Sequence, residues 1–265
     1  MLLAIDVGNT QIVLGLMEGR RCLQCFRLST DAERSPDEYA LYIHNLLQLP
    51  SVRDLPRPTA AILSTVVPKL RQTLQTAVQQ CLGLEMPSVG PGMRTGLSIR
   101  MDNPRELGAD LVVDAVAALD LAQPPLLIID IGTATTFSYI DAQGHYQGGL
   151  IIPGPGLSLD ALVARAAQLR KVELDPPPSL IGKNTVQCMQ AGLLYSQAAM
   201  LDGLIQRFQE ELGQPLQVIA TGGLAPSILP LCQQPIRHEA QLTLYGLALI
   251  HERQKNGEAE RKNPA

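Results

Sequence analysis

Charge is sparse in this sequence. Charged residues make up 17% of its 265 residues, against about a quarter in an ordinary soluble domain. The formal net charge is −4, and no basic stripe runs along the chain, which argues against a nucleic-acid partner. No apolar run reaches the roughly 18 residues that a spanning helix needs, so no membrane partner is expected. The N-terminus, Met1-Leu2-Leu3-Ala4-Ile5-Asp6, has no basic leader, and Asp6 cuts its apolar stretch short. A signal peptide is therefore not expected, and a cytoplasmic location is. The five cysteines are an odd number without a secretion signal, which argues against a disulfide framework. Cys22-Leu23-Gln24-Cys25 matches a C-x-x-C spacing, but in a predicted strand residues three apart point to opposite faces. No second cysteine pair or histidine cluster completes a zinc site, so these read as buried or half-buried free thiols. None of the four histidines, His44, His145, His238 and His251, stands near a candidate motif.

What is present is a hydrophobic, glycine- and proline-rich chain, long enough for two modest domains. Leu2–Asp6, Ile12–Leu16 and Arg21–Leu28 read as three strands joined by two tight turns. Ser35, Pro36 and Glu38 form a capping box with proline at the first helical position. A buried strand at Ala60–Val67 and a helix from Pro68 through Cys81 follow. Pro87–Gly90 reads as a short strand, and a helix is predicted from about Arg105 to Ala122. Then the opening pattern returns. Leu126–Ile129, Thr136–Ile140 and Tyr146–Ile152 read as three strands, again with a carboxylate and a glycine in the first turn. This predicts an internal duplication of fold. Helices at Ser158–Leu169 and Thr185–Glu211 precede a strand at Leu216–Thr221, which ends in Gly222-Gly223. The expected domains are residues 1–115 and 116–254, with a disordered tail at 255–265.

The two turns carry the chemistry. Asp6-Val7-Gly8-Asn9-Thr10 and Asp130-Ile131-Gly132-Thr133-Ala134-Thr135-Thr136 each place a carboxylate at a strand end, then a glycine, then hydroxyl or amide side chains. Glycine lets a backbone approach a phosphate closely, and freed N–H groups with Thr or Asn side chains can bond its oxygens. The carboxylate would repel phosphate directly, so its sensible role is to hold a cation, or that cation's waters. A single D-x-G-x-T is also an ordinary turn composition; two copies in matching three-strand contexts favour the phosphate reading. Ala220-Thr221-Gly222-Gly223 follows a strand and precedes a helix, where a glycine pair suits the base end of a nucleotide.

These features resemble the actin-like ATPase and sugar-kinase superfamily. The resemblance implies an α/β fold of two actin-like (ribonuclease H-like) domains with an interdomain ATP cleft. The likeness to type III pantothenate kinases is closer and covers nearly the whole chain. Its blocks are the two turns above, Asn103-Pro104-Arg105-Glu106-Leu107-Gly108-Ala109-Asp110, Gly182-Lys183-Asn184-Thr185, Ala220-Thr221-Gly222-Gly223-Leu224 and Leu242-Thr243-Leu244-Tyr245-Gly246-Leu247. The resemblance implies phosphorylation of the primary hydroxyl of pantothenate by ATP with Mg2+, the first step toward coenzyme A. It implies ATP contacts at Asp6, Val7, Gly8, Asn9, Thr10, Gln11, Ile12, Val13 and Thr133, and a monovalent cation, K+ or NH4+, at Asp130. Asp6 would organise the Mg–ATP complex. The pantothenate contacts fall on Met101, Gly108, Ala109, Asp110, Leu111 and Thr185, and a homodimer is expected.

Asp110 takes the catalytic role on this resemblance. By position alone it is a first-turn acid that favours a helix N-terminus. As a base it would accept the acceptor's proton late in phosphoryl transfer. Asp114, one turn on, reads as surface or interdomain polar structure. Two positions depart from the family's pattern: Met101 stands where members carry Tyr, and Leu111 where many carry Arg. Arg can pair with a carboxylate and Leu cannot. A kinase for a related small hydroxyl acceptor, or a nucleotide-binding regulator without turnover, are the alternative functions.

Overall fold

In the computed structural model, residues 1–262 are described, with side chains through residue 256. In chain order the elements are β1 (Leu2–Val7), β2 (Gln11–Glu18), β3 (Arg21–Ser29), α1 (Pro36–Leu47), β4 (Ala60–Thr65), α2 (Pro68–Leu82), β5 (Ser98–Ile99) and α3 (Ala109–Leu121). There follow β6 (Leu126–Ile131), β7 (Ala134–Ile140), β8 (His145–Pro153), α4 (Pro155–Arg165), α5 (Thr185–Leu212), β9 (Gln217–Thr221), α6 (Ala225–Ile228), β10 (Arg237–His238) and α7 (Leu242–Lys262). The chain divides into two compact units, and neither is contiguous in sequence. One holds residues 1–97, 102–120 and the segment from Gln241 onward; the other holds 98–101 and 121–240.

In the first unit the strand order is β3-β2-β1-β4, with β1 antiparallel to β2 and parallel to β4. Alternation along β1 sorts its side chains onto two faces. Leu3, Ile5 and Val7 pack with Tyr39 and Ile43 of α1 and Leu70, Leu74 and Val78 of α2. Leu2 and Ala4, with Ile62 of β4, pack with Val113 and Val116 of α3 and Leu244 and Leu247 of α7. The capping box at Ser35 is complete: Glu38 N–H donates to the Ser35 hydroxyl and the Ser35 N–H to the Glu38 carboxylate. Gly246 lets α7 seat on α3, since a Cβ there would lie 2.2 Å from the Val113 carbonyl oxygen.

The second unit repeats the arrangement. Its sheet runs β10-β9-β6-β7-β8-β5, with β6 antiparallel to β7 and parallel to β9. Leu127, Ile129 and Ile131 of β6 face Leu194, Ala198 and Leu201 of α5. The segment β8-β7-β6-β9 thus matches β3-β2-β1-β4 strand for strand, and the duplication expected from the two turns is present in the topology.

Several expectations are corrected. A boundary at 115/116 falls inside α3, a continuous helix whose apolar side belongs to the first unit. The C-terminal helix α7 packs on β1 and β4 rather than on the second sheet, because Leu244, Leu247 and Ile250 complete the apolar cluster there. The expected tail at 255–265 is helical through Lys262; residues 263–265 lie outside the described residues. Pro87–Gly90 makes only an isolated bridge, Leu63 to Ser88. Cys22 and Cys25 do not point to opposite faces: the β2–β3 register shifts between Leu16 and Met17, and both thiols pack against the α3–α7 cluster. A bulge adds a residue to one strand and so restores the same side three residues on. Both remain free and half-buried, with burial pushing the Cys22 thiol up to about 11.

Candidate active site

β1 and β6 each carry an acid one residue before their end, at the same place in the ladder. Asp6 pairs with Val13 on β2 and Ser64 on β4; Asp130 pairs with Thr136 on β7 and Thr221 on β9. The turns that follow differ by one residue. In the first, the Gly8 N–H donates to the Gln11 carbonyl at 2.9 Å; in the second, the Gly132 N–H donates to the Ala134 carbonyl at 3.0 Å. The residue after the third strand then ties each turn down. Thr30 N–H donates to the Thr10 carbonyl, and Gly154 N–H to the Thr133 carbonyl, both at 3.0 Å. Thr10 and Thr133 are therefore structural counterparts. Asn9, Thr10, Gln11 and Thr133 are exposed, while Val7 and Ile12 are buried.

Asp130 lies against glycine on two sides. A Cβ on Gly132 would sit 3.7 Å from both carboxylate oxygens, and one on Gly222 would be 2.5 Å from Oδ1. Gly222 also has φ of +100°, a region that favours glycine. The Asp130–Thr136 turn and the Ala220–Gly223 loop, read separately in sequence, meet at this carboxylate. The start of α4 joins them, since Gly154 has no room for a Cβ: the Gly132 oxygen would be 2.3 Å away.

Asp110 occupies the first turn of α3. Its Oδ1 accepts from the Leu111 N–H at 2.8 Å. The carboxylate folds back over Gly108, where a Cβ would lie 2.4 Å from Oδ1. The space that Gly108 leaves is thus filled first by Asp110 itself. Burial raises the Asp110 carboxyl above the ordinary aspartate value, partly offset by the Leu111 N–H. A raised value brings a base nearer neutral pH. Val66, just past β4, stands 3.8 Å from the same Gly108 position, and the Val66 N–H donates to the Val7 carbonyl at 3.1 Å. The first turn, the end of β4 and the start of α3 therefore converge at the carboxyl end of the parallel pair β1–β4. Binding sites of open α/β sheets favour this edge.

Asp114 is not surface structure. It is 3% exposed and accepts a hydrogen bond from the Thr243 hydroxyl of α7 at 2.7 Å. The other proposed acceptor contacts divide between the units. Gly108, Ala109, Asp110 and Leu111 belong to the first; Met101 and Thr185 belong to the second. Thr185 is exposed at the start of α5, where the Asn184 side chain caps the helix by accepting from the Gln187 N–H. Sequence reasoning missed Ser64 and Gly154, and it read Thr221 only as part of the Ala220–Gly223 block, not as the neighbour of Asp130. Only strand register places Ser64 beside Asp6 and Thr221 beside Asp130.

A family model described as Type III pantothenate kinase matches residues 2–207. A Type III pantothenate kinase from Moorella thermoacetica is 46% identical over 253 residues, spanning 96% of this chain and 99% of that protein. One from Myxococcus xanthus is 44% identical over 253 residues, at 96% and 98% coverage. Among solved structures, an activator of 2-hydroxyisocaproyl-CoA dehydratase from Clostridium difficile with bound ADPNP superposes with a TM-score of 0.56. It is 12% identical and covers 100% of this chain and 98% of that one. The (R)-2-hydroxyglutaryl-CoA dehydratase component A of Acidaminococcus fermentans gives 0.57 at 14% identity, with 97% and 98% coverage. The fold is mixed α/β with two actin-like domains. The chain belongs to the type III pantothenate kinase family.

Proposed function

We propose that this chain transfers the γ-phosphoryl group of ATP to the primary hydroxyl of pantothenate. The products are 4′-phosphopantothenate and ADP, and the step opens coenzyme A biosynthesis. The acceptor oxygen bonds to the γ-phosphorus, the bond from that phosphorus to the β,γ-bridging oxygen breaks, and the hydroxyl proton passes to Asp110. The observation that carries the reading is Asp110 itself: a carboxylate with a raised pKa, at a helix start, at the carboxyl end of β1–β4.

ATP is assigned to Asp6–Val13 and Thr133, and the acceptor to Gly108–Leu111, Met101 and Thr185. The side chains around both acids fit hard cations, because their donors are oxygens: Asp6 stands beside Ser64, and Asp130 beside Thr136 and Thr221. On this reading Asp6 holds Mg2+ or its waters and Asp130 holds K+ or NH4+, which would supply charge neutralisation at the phosphates. A cytoplasmic homodimer fits the same reading. Ile151, Leu180 and Ile181 are 77%, 64% and 78% exposed in the second unit, and a second copy of the chain would cover them. Among the described residues no helix is long and apolar enough to cross a membrane.

The test is ADP release from Mg–ATP with and without pantothenate, with the phosphorylated product identified by mass. Pantothenate-dependent release establishes the reading. Turnover only with another small alcohol reassigns the acceptor, and binding without turnover removes the enzyme.

A further inference from the structure

Ser64 is fully buried, and among the described residues its hydroxyl has no hydrogen-bond partner. A buried hydroxyl left unpaired is unfavourable, and alanine at that place would remove the penalty. Its position explains what it faces. Ser64 pairs with Asp6 in the parallel β1–β4 ladder, so both side chains project from the same face. That face is the one that Leu2, Ala4 and Ile62 turn toward α3 and α7. Two residues beyond Ser64, Val66 packs beside Gly108, next to the Asp110 carboxylate. The unpaired hydroxyl therefore stands beside Asp6, at the edge where the first turn meets α3.

The second unit repeats the placement with a different residue. Thr221, 4% exposed, pairs with Asp130 across the parallel β6–β9 ladder. In both units, then, the residue beside the strand-end acid on the parallel neighbour carries a hydroxyl. The two positions are far apart in sequence and share no motif; only the repeated register brings each to its acid. Hydroxyl donors that hold a metal-binding carboxylate in one orientation are a common way of tuning such a site.

We infer that Ser64 is a positioning residue for Asp6: its hydroxyl donates to the Asp6 carboxylate when that group turns to hold the cation of the Mg–nucleotide complex. The inference rests on the assignment of Asp6 to that complex. Ser64 touches neither nucleotide nor acceptor. In the nucleotide-free protein its hydroxyl is a cost; with the complex bound, the cost is relieved. Function and stability should therefore move in opposite directions on its removal, which a purely structural serine would not produce.

The experiment is calorimetry of ADP binding to the full chain, with Mg2+ and with EDTA, alongside thermal melting without nucleotide. Ser64→Ala should weaken ADP binding about tenfold in Mg2+, leave binding in EDTA unchanged, and keep or raise the melting midpoint. Ser64→Thr, which keeps a hydroxyl as the second unit does, should retain the Mg2+-dependent affinity. Asp6→Asn is the control. If it loses the Mg2+-dependent part of binding while Ser64→Ala does not, the inference fails and the assignment of Asp6 stands. If Asp6→Asn keeps that part, the assignment falls and the inference with it. A lower melting midpoint for Ser64→Ala, or equal weakening in Mg2+ and EDTA, gives Ser64 a structural role only and overturns the inference.

Discussion

The two sheets hold an acid at the same ladder position and return to the following turn by the same backbone hydrogen bond, yet they fill the space around it differently. In the first unit, Thr30 follows β3, and its hydroxyl donates to the Gly8 carbonyl at 2.7 Å. Its counterpart in the second unit is Gly154, where even a methyl group would collide with the Gly132 carbonyl. The same exchange occurs at the end of the parallel strand. Thr65 turns its hydroxyl to the Val67 backbone, while Gly222 lies flat under Asp130. In the second unit glycine backbone packs at these places, where the first unit carries the threonine side chains Thr30 and Thr65. One topology thus makes two cradles: one lined by side chains, the other by bare backbone suited to a nucleotide's close approach.

The harshest break of this symmetry is Asp110, which the first unit alone carries at the start of α3. Asp110→Asn should lower kcat by about 10²–10⁴-fold with little change in ATP affinity, as single-turnover and binding measurements would read. The same variant should be more stable above acidic pH. Burial raises the folded-state carboxyl above its unfolded value, so the charged form opposes folding once pH exceeds the unfolded value. The stability gain of Asn should be complete above the folded-state value and vanish below about pH 4 in melting curves taken across pH. Near-full turnover in Asp110→Asn would remove the proposed mechanism.

The next effect tests the two cradles directly. Gly154→Ala and Gly222→Ala should each cost roughly 2–4 kcal/mol in denaturant unfolding, from overpacking and, at Gly222, from backbone strain. Thr30→Val, which deletes one hydrogen bond in the first unit, should cost about 1 kcal/mol. Equal costs in the two units would mean that the cradles do not differ as described.

Exchange of the acids separates their proposed cations. Asp6→Asn should weaken Mg–ATP binding by about 10–100-fold, the loss of a charge-assisted contact. Asp130→Asn should instead abolish the preference for potassium or ammonium over sodium at fixed ionic strength. Identical rates for the unaltered protein in all three salts would remove the role given to Asp130.

The smallest expected change is at Leu111. Its N–H already serves Asp110, so Leu111→Arg keeps that bond and adds only a cation. The KM for pantothenate should fall by roughly tenfold with kcat nearly constant, the signature of ground-state binding. An unchanged KM would place the acceptor's carboxylate elsewhere and leave the mechanism intact.

Much of this is legible in the sequence. Strand period, glycine-bearing turns and the capping box at Ser35 are local signals, so the two hairpin sheets, α1, α2 and α5 are readable within a few residues. The acids Asp6 and Asp130 were readable because each ends an apolar run and precedes glycine. The sequence alone also placed Asp110 beside Gly108, a separation of two residues that no folding alters. What it could not decide was every relation that depends on register or on distant packing. A bulge turned Cys22 and Cys25 to one face, α7 returned to the first unit to complete its apolar cluster, and Asp114 was buried against Thr243. Ser64 beside Asp6, Thr221 beside Asp130, and Gly222 beneath the same carboxylate are products of strand pairing across long stretches of chain. Such pairing is set by which apolar faces can be buried together, and that choice belongs to the whole fold rather than to any segment of it.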